Sequence, residues 1–274
     1  MSGPDHDIQE HYGQDGLFER LLSMLEAAGV PRDQLSAEHL KAVDEFHIGG
    51  VKATEVLLDP LNIGPGTPVL DIGSGIGGPA RFMAARYDAT VTGVDLTPAY
   101  VDTAARLTQA VGLEVRFVEG SALDLPFEPD SFDVATLIHV GMNLPDKPRL
   151  FAEAARVLAP GGTFAVYDVM RFGTHPEFPL PWAATPVASF LETPDTYLDA
   201  ARAAGFTLAH RADRGEVAKS FFAEMQARMA SGSGPAVGLP VLMGDTAPQK
   251  VANMVAAVNA GAIQPVEMVF RKGT

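Results

Sequence analysis

A chain of 274 residues with 47% hydrophobic and 20% charged residues has the composition of one globular domain with additions. Its formal charge of -14, offset by no local cluster of Lys and Arg, repels phosphate backbones and anionic lipid surfaces, so neither nucleic acid nor a membrane is an expected partner. The absence of Cys removes disulfides and thiolate metal sites. With no basic-then-apolar leader at "MSGPDHDIQE" and no apolar run near the ~18 residues of a membrane span, a cytoplasmic protein is expected.

In chain order, Leu17, Leu21 and Leu25 recur at helical spacing with Phe18 and Leu22 beside them, and Gly29-Val30-Pro31 stops that helix. Ser36 is placed to cap a second helix running through Phe46, and a third covers Val51 to Leu58 before Asp59-Pro60. Residues 1–58 therefore read as a helical N-terminal cap on a main domain of residues 59–274.

From Thr67 onward short apolar runs alternate with amphipathic segments. "PVLDI", "ATVTGV", "EVRFV", "FDVATLI" and "TFAVYDV" predict strands of an open, mainly parallel sheet, joined in part by crossover helices. Thr97-Pro98 and Thr193-Pro194 each place an N-cap before a first-turn proline. The stretch "MRFGTHPEFPLPWAATPVASFL" is too irregular for a helix and too apolar for a free linker, and is read as a lid inserted at 171–192. A helix near Pro248 to Ala260 and a strand "VEMVF" follow.

The chemistry concentrates in "VLDIGSGIGG". Glycines at 73, 75 and 77 lie between an apolar strand and a helix, where they let a ligand rest on the backbone. The dinucleotide fingerprint needs wider spacing, with a third glycine three residues after the second. Asp71, two residues before the first glycine, would repel a pyrophosphate and attract an amino group. Asp95 ends the next strand, where a carboxylate can accept both hydroxyls of a ribose. A nucleoside carrying a cationic amino-acid tail satisfies both features, and S-adenosylmethionine is such a molecule.

With "VTGVD", "EGSALDLPFEPDSFD" and "EAARVLAPGGTFAVYD" following in order, the chain resembles the class I S-adenosylmethionine-dependent methyltransferases over about Phe46 to Asp168. The resemblance implies an α/β fold with a Rossmann-like seven-stranded mixed sheet whose last strand, "VEMVF", is antiparallel. It implies that Asp71, Gly73, Ser74, Gly75 and Gly77 border the methionine end of S-adenosylmethionine. Asp95 and Leu96 would then hold the ribose and flank the adenine, and Ser121 and Ala122 would meet the adenine, Ser121 standing where relatives usually have Asp. "DEFHIGG" and "MNLPDK" are most similar to small-molecule enzymes, the sarcosine/dimethylglycine N-methyltransferases and quinone C-methyltransferases.

Ligands of such sheets bind beyond the strand carboxyl ends, which directs the acceptor to His139, Met142 and Asn143 after "FDVATLI". His139 could take a proton from a protonated acceptor or simply pack beneath the cofactor. Asn143 could orient the acceptor or cap the helix that begins near Asp146. His47 before two glycines, with Tyr12, suggests a cover over the site. Thr54, one turn into the next helix, is placed near the methionine carboxylate by proximity in sequence. Trp182, the sole tryptophan, either meets the substrate or anchors the insert. Phe221, Phe222, Met225 and Met229 share a helical face suited to packing. His175 and His210 are dispersed, so no metal is expected. The expected activity is methyl transfer to a small molecule, with amine nitrogen ahead of ring or enol carbon and phenolic oxygen. A nicotinamide dehydrogenase and a non-catalytic binder of the same cofactor are the rivals.

Overall fold

A computed structural model of the protein describes residues 16–45, 47–231 and 246–274. Tyr12, Phe46 and most of "SGSGPAVGLP" lie outside the described residues. Three helices come first: α1 (Leu17–Ala27), α2 (Ala37–Asp44) and α3 (Gly50–Leu58). Then β1 (Pro68–Ile72), α4 (Gly78–Tyr87), β2 (Thr90–Asp95), α5 (Pro98–Ala110), β3 (Arg116–Glu119) and β4 (Phe132–Ile138) alternate. The chain continues with α6 (Lys147–Val157), β5 (Leu158–Arg171), α7 (Pro194–Ala203) and β6 (Phe206–Asp213), and ends with α8 (Gly215–Ala230), α9 (Ala247–Asn259) and β7 (Ile263–Lys272).

The seven strands form one sheet in the order β3-β2-β1-β4-β5-β7-β6. The first five pair in parallel, while β7 runs antiparallel to β5 and β6. Both faces of the central strands are covered, which is why β1 reads as an apolar run rather than an alternation. Leu70 and Ile72 of β1 join Phe164 and Phe270 beneath Phe151 of α6 and Tyr197 of α7. On the opposite face Val69, Val91 and Val134 pack against Leu57 and Leu58 of α3 and Ala80 and Met83 of α4.

The expected strands all form. β6 was not legible by pattern, because seven of its eight residues are not buried and its pairing to β7 shifts register between Leu208 and His210. The helical preface is joined to the sheet rather than set apart from it: α1 packs on α5, α2 on α4 and α3 on β5. The caps differ from expectation. Ser36 precedes α2 in extended conformation, but its hydroxyl meets His39 Nδ1 at 3.0 Å and caps no backbone amide. Thr97 likewise makes no side-chain cap, and its own N–H donates to Asp95 Oδ1 at 2.9 Å. Thr193 does cap, accepting from Thr196 N, and Asp146 caps α6 by accepting from Arg149 N at 2.9 Å. Asn143 is therefore not that cap; its side-chain amide donates to Val140 O within a short turn.

Residues 172–193 carry no regular element beyond one turn at Pro186–Ala188. They are nonetheless anchored. Leu180, Trp182, Ala183 and Leu191 are buried in a cluster with Phe222 of α8 and Met254 of α9. Asn253 of α9 donates to Pro179 O, Phe190 N donates to Met142 O, and Lys147 Nζ donates to Phe190 O.

Candidate functional site

The carboxyl ends of β1, β2 and β4 open onto a cavity of about 240 Å³. Asp71, Gly73, Ser74, Gly75, Asp95, Leu96, Ser121 and Ala122 line it, together with His47, His139, Met142, Asn143 and Trp182. Gly77 and Thr54 are not among its lining residues.

The glycine turn is tied to β2 as one unit. Gly73 N and Ser74 N both donate to Val94 O, at 2.8 and 3.0 Å, and Gly75 N donates to Asp95 Oδ2 at 2.8 Å. Asp95 thus orders the turn as well as facing the cavity, with one backbone amide on each carboxylate oxygen and further lone pairs for a ligand. The glycines divide by task. A Cβ at Gly75, whose φ is 54°, would meet nothing within 4 Å, so the space beside it is open. At Gly77, φ 89°, a Cβ would stand 2.6 Å from the Phe117 ring and 2.7 Å from Arg81 Nη1. Gly77 is therefore required by helix packing, and the sequence-based placement of it beside a ligand is replaced by that role.

Asp71 is 2% exposed. Its Oδ1 accepts from Thr136 Oγ1 at 2.7 Å, while Oδ2 has no partner. Burial pushes its pKa up to about 6, against the lowering effect of the Thr136 hydroxyl, with the Asp95 charge adding to the rise. A buried carboxylate oxygen without a donor costs free energy until a cation or donor meets it. Ser74 Oγ is a second buried polar atom on this wall without a partner.

The preface supplies the next wall. Asp44 at the end of α2 pairs with Arg81 of α4, Nη2 to Oδ2 at 2.7 Å, both residues being buried. Arg81 also donates to Ile76 O in the glycine turn. His47 Nε2 lies 2.9 Å from Gly50 O, an acceptor only, so this nitrogen carries the proton. Burial holds the His47 pKa down to about 4, keeping the ring neutral. Thr54 Oγ1 is 3.0 Å from His47 Nε2 and donates to Glu45 Oε2 at 3.2 Å, so its hydroxyl is engaged beneath His47. The proximity that suggested a direct ligand contact for Thr54 instead makes it a support for His47.

His139, just past β4, adopts φ 55°, a left-handed conformation uncommon outside glycine and a few polar residues. Its N–H donates to Tyr167 O at 2.7 Å, and its ring stacks on Tyr167 with centroids 5.3 Å apart. His47 meets it edge-on at 5.8 Å. The buried Nε2 has no partner. Burial, reinforced by His47, drives the His139 pKa well below the usual histidine range, so the ring is neutral near pH 7. A neutral ring of this kind can hydrogen-bond to an acceptor molecule.

Ile48, Met142, Trp182, Phe222, Met225 and Met254 line the far side and belong to one apolar cluster with the insert. The Trp182 indole N–H donates to Ser189 Oγ at 3.0 Å, leaving ring surface toward the cavity. Phe221, Phe222 and Met225 join this wall, a placement that the helical pattern alone assigned to packing, whereas Met229 is 69% exposed. Sequence reasoning passed over Asp44, Tyr100 and Met254, each of which lines the cavity from an ordinary-looking helix. Among the described residues no group of three or more His, Cys, Asp or Glu side chains is placed to hold a metal ion.

Residues 70–166 match the family described as "Methyltransferase domain". Methyltransferase GfsG of Streptomyces halstedii is 36% identical over 135 residues, covering 48% of this chain and 49% of that protein. The 2-methyl-6-phytyl-1,4-hydroquinone methyltransferase of Synechocystis is 40% identical over 104 residues, covering 38% of this chain and 32% of that one. The chain thus spans about half the length of the first relative and about a third of the second. A geranyl diphosphate C-methyltransferase from Streptomyces coelicolor, solved with Mg2+, geranyl-S-thiolodiphosphate and S-adenosyl-L-homocysteine, superposes with a TM-score of 0.69 at 17% identity, covering 99% of each chain.

Proposed function

We propose that this chain, whose residues 70–166 form a methyltransferase domain of the class I type, transfers a methyl group from S-adenosylmethionine to a small molecule. One observation carries the reading: Asp71 Oδ2 is buried at the cavity wall with no partner, where the cationic amino group of the cofactor's methionine would supply one. The open space beside Gly75 and the unpartnered Ser74 Oγ fit the same tail. Asp95 retains lone pairs for the ribose hydroxyls, and Leu96, Ser121 and Ala122 line the wall where the adenine would lie. Ser121 Oγ already accepts from Leu123 N at 3.2 Å, so it offers the adenine at most a weak neutral contact.

The cofactor supplies the electrophilic methyl group and its own positive charge. The chain's task is alignment and exclusion of water, where orientation alone can contribute roughly 7–11 kcal/mol. Tyr167 fixes the His139 ring from below, and His47, held by Gly50 and Thr54, closes one side. The insert closes another through Pro181 and Trp182.

The amine acceptor favoured from the sequence has three cavity carboxylates in its support, Asp44, Asp71 and Asp95. Their placement works against it, since Asp44 is paired through Oδ2 with Arg81, its Oδ1 being buried without a partner, while Asp71 and Asp95 belong to the glycine-turn end. A neutral acceptor is therefore the better match. Calorimetric titration with S-adenosylhomocysteine and with NADH tests the assignment: saturable binding of the first alone is expected, and binding of NADH alone would replace it with hydride transfer. Cofactor binding without any methylated product across a broad acceptor panel would leave the non-catalytic alternative.

A further inference from the structure

Resting on the methyl-transfer reading, we infer that the acceptor is a neutral molecule with an apolar body that presents a hydroxyl to the ring of His139. The body is specified by the far wall. Six of its residues, Ile48, Met142, Trp182, Phe222, Met225 and Met254, come from one apolar cluster, and the indole N–H of Trp182 is already spent on Ser189. Apolar surface removed from water there favours binding of an apolar body.

Charge narrows the class from both sides. No Lys or Arg is among the described residues lining the cavity, so a phosphate, diphosphate or carboxylate acceptor would be desolvated without a counter-charge. An ammonium meets the complementary problem. The carboxylates lie toward the glycine turn: Asp95 holds Gly75 N, Asp71 ends β1, and Asp44 is paired with an arginine that also holds Ile76 O. An ammonium within the apolar wall would be desolvated with no anion beside it.

The hydroxyl is specified by His139. His139 lines the cavity, and among the described residues neither nitrogen of its ring has a hydrogen-bond partner, Nε2 being the buried one of the two. A hydroxyl can donate to a ring nitrogen or accept from it, and so satisfies either tautomer of the neutral ring. A hydrocarbon satisfies neither. Stacking on Tyr167, with ring centroids 5.3 Å apart, orients the ring that the hydroxyl would meet.

Trp182 is the sole tryptophan, so intrinsic fluorescence of the full chain reports occupation of this wall. The protein, saturated with S-adenosylhomocysteine, would be titrated with decan-1-ol, 1-chlorodecane, decylammonium and decanoate. Saturable binding of decan-1-ol is expected, about tenfold tighter than 1-chlorodecane, which corresponds to one buried hydrogen bond, and tighter than either ion. His139→Gly, chosen because glycine accepts the positive φ and carries no side-chain hydrogen-bonding group, should bring alcohol and chloride to within about twofold of each other. Met225→Lys, on the half-buried face of α8, should weaken decan-1-ol and admit decanoate. Tightest binding of decylammonium or decanoate to the unaltered protein, equal binding of alcohol and chloride, or no binding of any probe while S-adenosylhomocysteine binds would each overturn the inference. Failure of S-adenosylhomocysteine itself in parallel calorimetry would remove the methyl-transfer reading, and this inference with it.

Discussion

The two ends of the cavity are built from different kinds of chain. At the glycine-turn end the principal groups lie between Asp71 and Ala122, each at or just beyond a strand end, and backbone hydrogen bonds lock turn to strand. At the far end the wall is assembled from Ile48 of the preface, Met142 after β4, Trp182 of the insert and residues of α8 and α9, held by side-chain packing. The first end is rigid because its geometry is written into the parallel sheet, and the second can be re-formed by substitution without disturbing a strand. Variants at the first end should therefore change cofactor affinity, and variants at the second should change only acceptor affinity.

The largest expected break falls on Asp71. Asp71→Ala removes the carboxylate whose Oδ2 is buried without a partner at the end of β1, and the affinity for S-adenosylhomocysteine should fall by about a hundredfold, consistent with loss of a charge-assisted hydrogen bond. Calorimetry checks it, and retained affinity in the folded variant would defeat the cofactor assignment. Asp71→Asn keeps the shape and the Thr136 contact, and separates loss of charge from loss of packing.

The same contrast explains what could be read in advance. The strands β1 to β5 and β7, the glycine turn and Asp95 each carry their signal within a few neighbouring residues, so their places follow from local pattern. β6 did not, because an exposed edge strand has no apolar alternation to betray it. The far wall did not, because Met225, Phe222 and Met254 carry ordinary helical signals, and only folding brings α8, α9 and the insert together. Thr54 is placed by nearness in sequence and Gly77 by the glycine turn and the family resemblance, yet the side chain of one turns beneath His47 and the other serves Phe117 and Arg81.

Next in size is a pair of glycine variants. Gly77→Ala should destabilise the fold by about 2–4 kcal/mol, since left-handed backbone and overpacking both oppose a side chain there. Gly75→Ala, with no atom within 4 Å of its Cβ, should cost about 1 kcal/mol for its backbone alone and should act chiefly on ligand affinity. Denaturant unfolding beside calorimetry distinguishes the two. Equal losses of stability would show that both glycines serve packing.

A pH effect of about tenfold sharpens the comparison further. Binding of a cationic amino group requires Asp71 ionised, and its pKa in the ligand-free protein is about 6. S-adenosylhomocysteine affinity should thus be nearly flat above pH 7 and about tenfold weaker at pH 5, with proton release on binding. The linkage to folding has the opposite sign at this residue. A carboxylate whose pKa is raised by folding adds stability below its unfolded value, and that contribution is lost as pH rises through about 6. Asp71→Asn should abolish this component of the pH dependence of binding, and an unchanged profile would assign it to another group.

The smallest effect is expected at the far wall. Phe221 is partly buried on α8 and packs edge-on against Phe222 at 5.4 Å, so truncation to Ala removes one side of the apolar wall while leaving the cluster beneath it in place. Partial loss of one aromatic surface corresponds to about 1 kcal/mol, or about fivefold in decan-1-ol affinity measured through Trp182 fluorescence. S-adenosylhomocysteine affinity should not move, because no hydrogen bond of the glycine turn, Asp95 or Asp71 passes through α8. A matching loss of S-adenosylhomocysteine binding in Phe221→Ala would mean that α8 and the glycine turn move as one body. The division of the cavity into a sheet-built end and a packing-built end would then fail.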